Sequence, residues 1–360
     1  MADSLDQPEL IQRLISPSFL PQGSIFEVYI DEKIPDEQLV TATFCIVFSS
    51  HGDVLFTDGQ ADDHTHMLDI PGGHRENGES TEQSAFREVY EETGITPEKI
   101  AVLGYAKCNV SDASSQYPYP IPYSYMIFYV GITQDKESTN GNGAWLSLSE
   151  ARENSWVKEN RTLFESAYQE SKILRGLYTK SSLDVYTSEG KFLGSTSYDR
   201  VHRQGLWHRG VHVWILNSKG EFLIQRRGPY VQTSPNLYEH TATGHIDSGQ
   251  TSVQAALKEI EEEVGIHVSS DELIFIGTII DQFTMYEGTL QNNEFDDVYL
   301  VRRDIEEQEI KHNEHEVLSF TYFDAREYLL RGRHGDPALV PREQEYELVF
   351  KYLFDDLSFK

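Results

Sequence analysis

The sequence predicts an α+β fold built from two copies of one unit that follow each other along the chain. Its 360 residues exceed the usual size of a single domain. An acidic segment, GGHRENGESTEQSAFREVYEETGI (72–95), recurs without a gap as TGHIDSGQTSVQAALKEIEEEVGI (243–266). The same order of strand-like runs and a helix surrounds both segments. We therefore expect two domains that each contain one copy of the unit.

The first half begins with a predicted β-hairpin, because LVTATFCIVFSS and VLFTDG are strand-like runs on either side of HGD. A helix is predicted from Thr81 to Thr93, and Gly94 is its expected C-terminal stop. Its apolar positions predict an inward stripe of Ala85, Val89 and Tyr90. KIAVLGYAKCNV and YSYMIFYVGI continue as strands, and GAWLSLSEARE as a strand and a short helix. A helix from about Lys158 to Arg175 closes the unit.

The second half repeats this layout. GVHVWILN and EFLIQRR flank SKG as a second hairpin. The helix is predicted from Thr251 to Val264, and Gly265 is its stop. ELIFIGTIIDQF and DDVYLVRRD follow as strands, and LSFTYFDAREYL as a strand and a helix.

The predicted join between the halves lies near Gly176. Residues 37–178 then form the first domain and residues 179–360 the second, which opens with the hairpin LDVYTSEGKFLGS. Residues 1–36 are expected to form an extension, with an extra helix and a strand, that packs on the first domain.

The composition of the chain limits the kinds of molecule that it is expected to bind. A net charge of −29 disfavours nucleic acid polymers and anionic membranes, because phosphate contacts need clustered Lys and Arg. Small phosphorylated ligands remain compatible if a divalent cation bridges them to carboxylates. The two cysteines do not suggest a disulfide scaffold. MADSLDQPELIQRL lacks the regions of a signal peptide, and no apolar run reaches the roughly 18 residues that span a bilayer. We expect a cytoplasmic protein.

The repeated segment carries the chemistry. Glu88, Glu91 and Glu92 are spaced i, i+3 and i+4, which gathers their carboxylates on one helix face. Hard oxygen ligands of this kind suit Mg²⁺ or Mn²⁺, and the preceding Gly-rich loop with Gly72 and Gly73 can approach a bound ligand closely. The same spacing is also typical of a solvated, Glu-rich helix face.

The complete spacing decides between these alternatives. Gly73, Glu79, Arg87-Glu88, Glu91-Glu92 and Gly94 match the Nudix box in full. The first half therefore resembles a Nudix hydrolase, which implies an α/β/α sandwich with a mixed β-sheet. The resemblance also implies cleavage of a diphosphate linkage in a nucleoside diphosphate derivative or related organic pyrophosphate. The expected reaction is attack at phosphorus by a water molecule that Mg²⁺ or Mn²⁺ activates.

The resemblance assigns roles by position. Glu88 and Glu92 are the expected metal ligands, Glu91 supports them, and the Gly73 carbonyl can reach the metal. Gly72 and Gly73 belong to the substrate loop. Glu79 and Arg87 are expected to fix the loop against the helix. A general base is expected outside the box, but YPYPIPYSYMIFYVGI (117–132) has no acidic residue. Its aromatic side chains fit either stacking on a base or a core strand.

The second copy keeps the glycines and the three helix carboxylates, which are Gly244, Gly265, Glu259, Glu262 and Glu263. Glu259 and Glu263 are the expected metal ligands. Gln250 replaces Glu79, and Lys258 replaces Arg87. Because Lys cannot make the bidentate contact of Arg, we expect metal binding to persist and the orienting pair to weaken.

Residues around the second copy resemble the Nudix branch that includes isopentenyl-diphosphate isomerase. DRVHRQGLWHRG, LYEHTATGHIDSG and NNEFDDVYLV carry this resemblance. It implies metal-binding positions for three histidines, a catalytic or metal-binding role for one glutamate and diphosphate contacts for two arginines: His202, His208, His245, Glu294, Arg226 and Arg227. The histidines also fit a structural, hydrogen-bonding role. Thr243 stands where the isomerases carry a cysteine, and a hydroxyl cannot replace thiol chemistry at neutral pH.

These observations favour a tandem Nudix hydrolase that acts on a small diphosphate. Two alternatives remain for the second domain: a non-catalytic ligand-binding or dimerising module, and an isoprenoid diphosphate isomerase. A homodimer is compatible with the sequence. The substrate stays open because selectivity comes from loops outside the box.

Overall fold

The computed structural model describes residues 7–60, 66–110, 117–134, 136–139, 141–176, 181–229, 231, 233–285, 288, 290–312 and 316–355. These residues form two compact units, one within 7–176 and the other within 181–355. The predicted boundary between 178 and 179 lies outside the described residues. No helix in the described ranges is long and apolar enough to span a membrane.

The first unit contains a mixed sheet. Its described strands are β1 (Glu9–Ile15), β2 (Ile25–Ile30), β3 (Val40–Ser49), β4 (Val54–Gln60), β5 (His66–Asp69), β6 (Gly72–His74), β7 (Lys99–Asn109), β8 (Tyr123–Thr133) and β9 (Gly143–Leu146). They lie in the order β1-β2-β7-β8-β3-β4-β5, while β6 pairs with β3 and β9 with β4. β3 and β8 are parallel, and β7 is antiparallel to β8. The short β6 therefore begins beside the central strand.

Helices cover both faces of this sheet. They are α1 (Thr81–Thr93), α2 (Leu148–Ala151), α3 (Ser155–Glu159) and α4 (Arg161–Leu174). Ser80 and Gln83 form a capping box that starts α1, and Gly94 ends it with a φ of 70°. On one face Ala85 and Val89 of α1 belong to a buried core. On the other face Phe164 of α4 belongs to a second core.

The second unit repeats this mixed sheet. Its described strands are β10 (Ser182–Tyr186), β11 (Phe192–Ser197), β12 (Trp207–Leu216), β13 (Glu221–Arg227), β14 (Tyr238–Glu239), β15 (Ala242–His245), β16 (Ile274–Met285), β17 (Leu290–Arg302) and β18 (Val317–Asp324). β12 and β17 are parallel, whereas β15 is antiparallel to β12. β12, β17 and β15 thus correspond to β3, β8 and β6.

The helices of the second unit also lie on both faces. They are α5 (Tyr198–Gln204), α6 (Ser252–Glu259), α7 (Ala325–Arg333) and α8 (Glu343–Phe350). One π turn, Ile260–Val264, continues α6 up to Gly265, and a second, Lys351–Asp355, continues α8. α6 packs in one core and α7 and α8 in the other. The predicted α+β class, with α/β/α layers around mixed sheets, is confirmed.

The structure corrects three details. The described part of 1–36 contains the strands β1 and β2 rather than a helix and a strand, and β2 joins the sheet through β7. The helix predicted from Lys158 to Arg175 is two helices that meet at Asn160. Tyr90 was placed in the inward stripe, but it is 51% exposed, because it lies on the outer face of α1.

Candidate functional site

The first candidate centre forms where α1 approaches β6. A Cβ atom on Gly73 would lie 2.5 to 2.7 Å from the carboxylate atoms of Glu88, so only glycine permits this approach. Thr43 of β3 lies opposite Gly73 and fixes β6 in place. The Glu88 side chain is consequently held against the backbone of β6, and it is 12% exposed.

Glu92 reaches the same short strand. The backbone N–H of Gly72 donates to Glu92 Oε2 at 3.0 Å. Burial raises the pKa of Glu92, and the nearby charges of Glu88, Asp69 and Glu91 raise it further. Glu88 and Glu92 therefore place two carboxylates next to one strand, where a divalent cation would relieve their mutual repulsion. Their oxygens suit Mg²⁺ or Mn²⁺.

Arg87 fixes this arrangement. Its Nε and one terminal nitrogen donate to both carboxylate oxygens of Glu79, at 2.8 and 3.1 Å. The same guanidinium donates to the His74 carbonyl at 2.9 Å, to Glu88 at 2.8 Å and to Glu91 at 3.0 Å. The hydrogen bond from Arg87 is the main reason why the pKa of Glu79 is lowered. Glu91 itself is 58% exposed and lies at the rim of the centre.

The run at 117–132 supplies part of the core, as one of its two predicted roles requires, whereas stacking on a base stays a prediction. Ile127 and Tyr129 are buried in the core beneath α1. Tyr119 instead stacks on His74, with ring centroids 5.4 Å apart. Because His74 directly follows Gly73, this part of the run lies beside the first centre.

The second copy reproduces the central contacts. A Cβ atom on Gly244 would lie 2.2 Å from Glu259 Cδ. The backbone N–H of Thr243 donates to Glu263 Oε2 at 2.9 Å. Gln225 of β13 adds a donor to the same oxygen at 3.2 Å. The carboxylates of Glu259 and Glu263 thus occupy the places of Glu88 and Glu92.

The orienting pair has changed partners. Gln250 accepts a hydrogen bond from the Asp247 backbone N–H at 3.1 Å, as Glu79 does from Glu76 at 3.0 Å. Gln250 is neutral and forms no ion pair with Lys258. The Lys258 ammonium group lies instead 3.3 Å from the Asp247 carboxylate. Lys258 also lies 3.5 Å from Glu259 and 3.7 Å from Glu262. These single, longer contacts replace the bidentate clamp of the first copy.

Burial has a larger effect in the second copy. It raises the pKa of Glu259 to about 8, although Lys258 opposes the shift and the charges of Glu262 and Glu316 add to it. Burial and the charge of Glu259 also raise the pKa of Glu263 well above its ordinary value. Both shifts favour the protonated, neutral form of these carboxyl groups, and a nearby cation would favour the ionised form.

Three histidines form a further cluster in the second unit. His202 of α5, His208 of β12 and His245 of β15 have ring nitrogens within 4.8 Å of one another. Nδ1 of His202 lies 2.9 Å from the Tyr198 carbonyl, and Nδ1 of His208 lies 3.0 Å from the Leu206 carbonyl. A carbonyl only accepts, so each Nδ1 carries a proton and each Nε2 has a free lone pair when the ring is neutral.

Glu294 of β17 completes this cluster. Its Oε1 lies 3.6 Å from His208 Nε2 and 3.5 Å from His245 Nε2. Burial lowers the pKa of His202 well below its ordinary value and that of His245 to about 4, so both rings are neutral at pH 7. His208 Nε2 is buried and has no hydrogen-bond partner within the described ranges. A buried lone pair that faces a carboxylate fits a bound cation.

Sequence reasoning missed Asp296. It lies two residues after Glu294 on the same face of β17, opposite Gly210 of β12. A Cβ atom on Gly210 would lie 2.3 Å from Glu294 Oε1 and 2.4 Å from Asp296 Oδ1. Burial and the charge of Glu294 raise the pKa of Asp296. The alternation of NNEFDDVYL contained this signal, because residues i and i+2 of a strand share a face.

Arg226 and Arg227 lie on opposite faces of β13, because successive strand residues alternate. Arg227 shares the face of Gln225, which contacts Glu263. It pairs with Glu239 and donates to the Thr233 carbonyl at 3.0 Å. Arg226 donates to the Asn236 carbonyl at 3.1 Å on the other side. The structure therefore does not bring the two predicted diphosphate contacts together.

A buried polar network behind the histidine cluster was also missed. Arg342, just before α8, lies 3.3 Å from Glu239 and 3.3 Å from Asp281. His212 Nδ1 lies 2.9 Å from Glu345 Oε2 of α8. No local pattern in the sequence announces these contacts, since they join residues more than 60 positions apart.

Comparison with known proteins identifies the family of this chain. A model of the NUDIX domain matches residues 38–167 and 206–342. Nudix hydrolase 3 of Arabidopsis thaliana is 34% identical over 176 residues, 48% of this chain and 22% of that protein. An uncharacterized Nudix hydrolase of Clostridium acetobutylicum is 36% identical over 121 residues, 33% of this chain and 57% of that protein.

An isopentenyl-diphosphate Delta-isomerase of Serratia proteamaculans is 32% identical over 118 residues, 33% of this chain and 64% of that protein. The chain spans between 22% and 64% of the length of these three relatives. The two family matches together cover most of the chain, each over one copy of the acidic segment. The chain therefore belongs to the Nudix hydrolase family and carries two NUDIX domains in tandem.

Proposed function

We propose that this protein hydrolyses a diphosphate linkage in a nucleoside diphosphate derivative or a related organic pyrophosphate, with the help of a divalent cation. One observation carries the proposal. In each domain two glutamates that follow the box glycine lie against one short strand. In the first domain Glu88 and Glu92 lie against β6 (Gly72–His74). In the second, Glu259 and Glu263 lie against the corresponding β15 (Ala242–His245). Two carboxylates held beside one strand repel each other when both are ionised, and a shared cation relieves this repulsion.

In the first domain Glu88 and Glu92 hold the cation, and the Gly73 carbonyl is a further candidate ligand. When bound, Mg²⁺ or Mn²⁺ activates the attacking water and offsets the charge that develops on the phosphoryl oxygens. Arg87 keeps the carboxylates and the loop in register through Glu79 and the His74 carbonyl. Gly72 and Gly73 leave room for a diphosphate beside the loop.

In the second domain Glu259 and Glu263 take these roles, and Arg227 is the diphosphate contact that lies on their side of β13. The cluster of His202, His208, His245 and Glu294, with Asp296, offers a second cation centre. Imidazole ligands favour a transition metal such as Zn²⁺ or Mn²⁺ over Mg²⁺ at this centre. We propose hydrolysis rather than isomerisation here, because Thr243 provides no thiol.

The compartment is proposed to be the cytoplasm. Cys45 and Cys108 are both free and buried, which fits a reducing environment. The proposed substrate is a small molecule, because the net charge of −29 disfavours a polymer of phosphates.

A substrate panel with single-site variants tests the proposal. Sugar nucleotides, dinucleoside polyphosphates, oxidised nucleotides and prenyl diphosphates are incubated with Mg²⁺ or Mn²⁺, and released phosphate or nucleotide is measured. Glu92→Gln should abolish the activity of the first domain, and Glu263→Gln that of the second. If Glu92→Gln keeps full activity with every substrate, the assignment of the first site is wrong. If Glu263→Gln changes nothing, the second domain is not a hydrolase.

A further inference from the structure

Asp296 is a buried side chain whose position needs an explanation. It is 0% exposed, and neither carboxyl oxygen has a hydrogen-bond partner in the described part of the chain. Gly210 lets Asp296 lie beside Glu294, which repels it when both are ionised. An unsatisfied buried carboxyl group is costly, so its orientation must be maintained by neighbouring groups.

His212 of β12 is a polar residue that lies beside Asp296 of the adjacent strand β17. Its Nε2 lies 3.6 Å from Asp296 Oδ1, slightly longer than a hydrogen bond. On the other side of the ring, Nδ1 lies 2.9 Å from Glu345 Oε2. Since a carboxylate only accepts, Nδ1 donates, and the ring is oriented with Nε2 towards Asp296.

Glu345 is itself fixed. Trp214 Nε1 donates to Glu345 Oε1 at 2.7 Å, and the ring of His240 stacks on His212 with centroids 4.1 Å apart. His212, His240 and Glu345 are also close enough to share a cation. The two imidazoles are only 28° from parallel, however, so their lone pairs do not converge, and Arg342 lies 3.5 Å from His240. A supporting hydrogen-bond network fits this geometry better than a metal site.

The first domain provides an internal comparison. Phe44 lies opposite Gly72 as His212 lies opposite Thr243, so the two positions correspond. In the same way Met126 lies opposite Ala42 as Asp296 lies opposite Gly210. The first domain thus has apolar residues at both positions. The histidine and the aspartate occur together, and they occur in the domain that has the histidine cluster.

We propose that His212, braced by Glu345, is a positioning residue that aims the Asp296 carboxyl group at the cation centre of His208, His245 and Glu294. This inference rests on the proposed cation centre of the second domain. Polar side chains that lie behind metal-binding groups orient them, and the loss of such a side chain lowers metal affinity by about 10- to 100-fold.

Co²⁺ binding tests this role without an assay of activity. The full-length chain with Glu92→Gln and Glu263→Gln, which weakens the two box centres, is titrated with Co²⁺ by calorimetry and visible absorption. His212→Asn keeps a donor towards Glu345 but cannot reach Asp296, and we expect about 10- to 100-fold weaker binding. His212→Gln can place its amide at the Nε2 position and should bind within a few-fold of the parent. Near-ultraviolet circular dichroism checks that each variant is folded.

Two further variants separate the outcomes. Combining His212→Asn with Asp296→Asn should weaken binding no more than Asp296→Asn alone, because both act through one side chain. Equal losses in His212→Asn and His212→Gln, additive losses in the double variant, or unchanged binding in His212→Asn would each overturn the inference. His245→Ala tests the centre itself. If it leaves Co²⁺ binding unchanged, the proposed centre is wrong and the inference falls with it; if only His212→Asn has no effect, the centre stands.

Discussion

Arg87 binds both carboxylate oxygens of Glu79, at 2.8 and 3.1 Å, whereas the corresponding Lys258 and Gln250 form no ion pair because Gln250 is uncharged. Arg87 also reaches the loop carbonyl of His74 and two helix glutamates. The clamp therefore ties loop and helix together in the first domain, and Asp247 supplies a single substitute contact in the second. Two copies of one box consequently use different means to hold the same carboxylates.

Arg87→Lys should loosen the first domain. Lys cannot make the bidentate contact with Glu79, and hydrogen bonds to charged groups contribute about 1.5–3 kcal/mol each, so we expect a loss of about 2 kcal/mol. Hydrogen exchange followed by mass spectrometry should show faster exchange in peptides that cover residues 72–94. Lys258→Arg is the matched control and should not accelerate exchange in residues 243–265. Unchanged exchange at 72–94 would mean that the clamp has no structural role.

Gly73→Ala should weaken cation binding at the first box without unfolding the domain. The added Cβ would lie 2.5 Å from Glu88 Oε2, so the Glu88 carboxylate must move away from the loop. We expect Mn²⁺ binding at this box to weaken about 10-fold or more, measured by calorimetry. Gly244→Ala should do the same to the second box through Glu259. A full set of Mn²⁺ sites in both variants would argue against Glu88 and Glu259 as ligands.

The second domain should lose stability as pH rises when no cation is present. Burial raises the pKa of Glu259 from 4.5 to about 8, with Glu262 and Glu316 adding to the shift and Lys258 opposing it. Between these two values the folded state holds a proton that the unfolded state has released. The free energy of unfolding therefore falls with pH, by at most about 1.4 kcal/mol per pH unit from this group.

Thermal unfolding in a chelator between pH 5 and pH 8.5 measures this effect. Added Mg²⁺ or Mn²⁺ should reverse the decline, because a cation stabilises the ionised carboxylate. Glu259→Gln should make the decline with pH shallower, since Gln does not titrate, and Glu263, whose pKa is also raised, accounts for the rest. A slope in the chelator that is the same for the parent and Glu259→Gln would assign the titration to another group.

Arg342→Gln should strongly destabilise the second domain. It leaves Glu239, which is 1% exposed, with Arg227 as its remaining cation, and it leaves Asp281 without its ion pair. Breaking a buried ion pair on one side costs about 3–5 kcal/mol. Arg303→Gln is the control, because its contact with Glu272 is 3.7 Å long and only partly buried, and ion pairs near the surface contribute about 0–1 kcal/mol. Urea unfolding compares both variants, and similar losses would contradict the buried role of Arg342.

Much of the fold could be predicted from the sequence. The hairpins, both box helices and their glycine stops depend on local periodicity and capping, and these predictions are confirmed together with the tandem family assignment. β1 was harder to predict, because ELIQRLI has apolar residues at helix-compatible positions and becomes a strand by pairing with β2. Sheet pairing of this kind depends on partners that a local pattern does not contain.

Some residues of the candidate site could likewise be predicted from local sequence patterns, and others could not. The roles of Glu88, Glu92, Glu259 and Glu263 follow from the spacing of a helix, and they stay predictions. Asp296 could have been found from its i+2 relation to Glu294. Glu345 and Arg342 could not, since they meet His212 and Glu239 only after the chain has folded back onto residues 212–240.

The short strand β15 has a further consequence. Its consecutive residues Thr243, Gly244 and His245 contact Glu263, Glu259 and Glu294 in turn. A strand rises about 3.3 Å per residue, so both candidate cation centres are set out along two residue steps, about 7 Å, of one backbone. Inserting one residue after Thr243 would turn His245 to the opposite face while Thr243 stayed in place. The box and the histidine cluster are consequently both positioned by the backbone of β15. Substitutions can change the side chains of one centre without the other, whereas a shift of β15 along the sheet moves both centres.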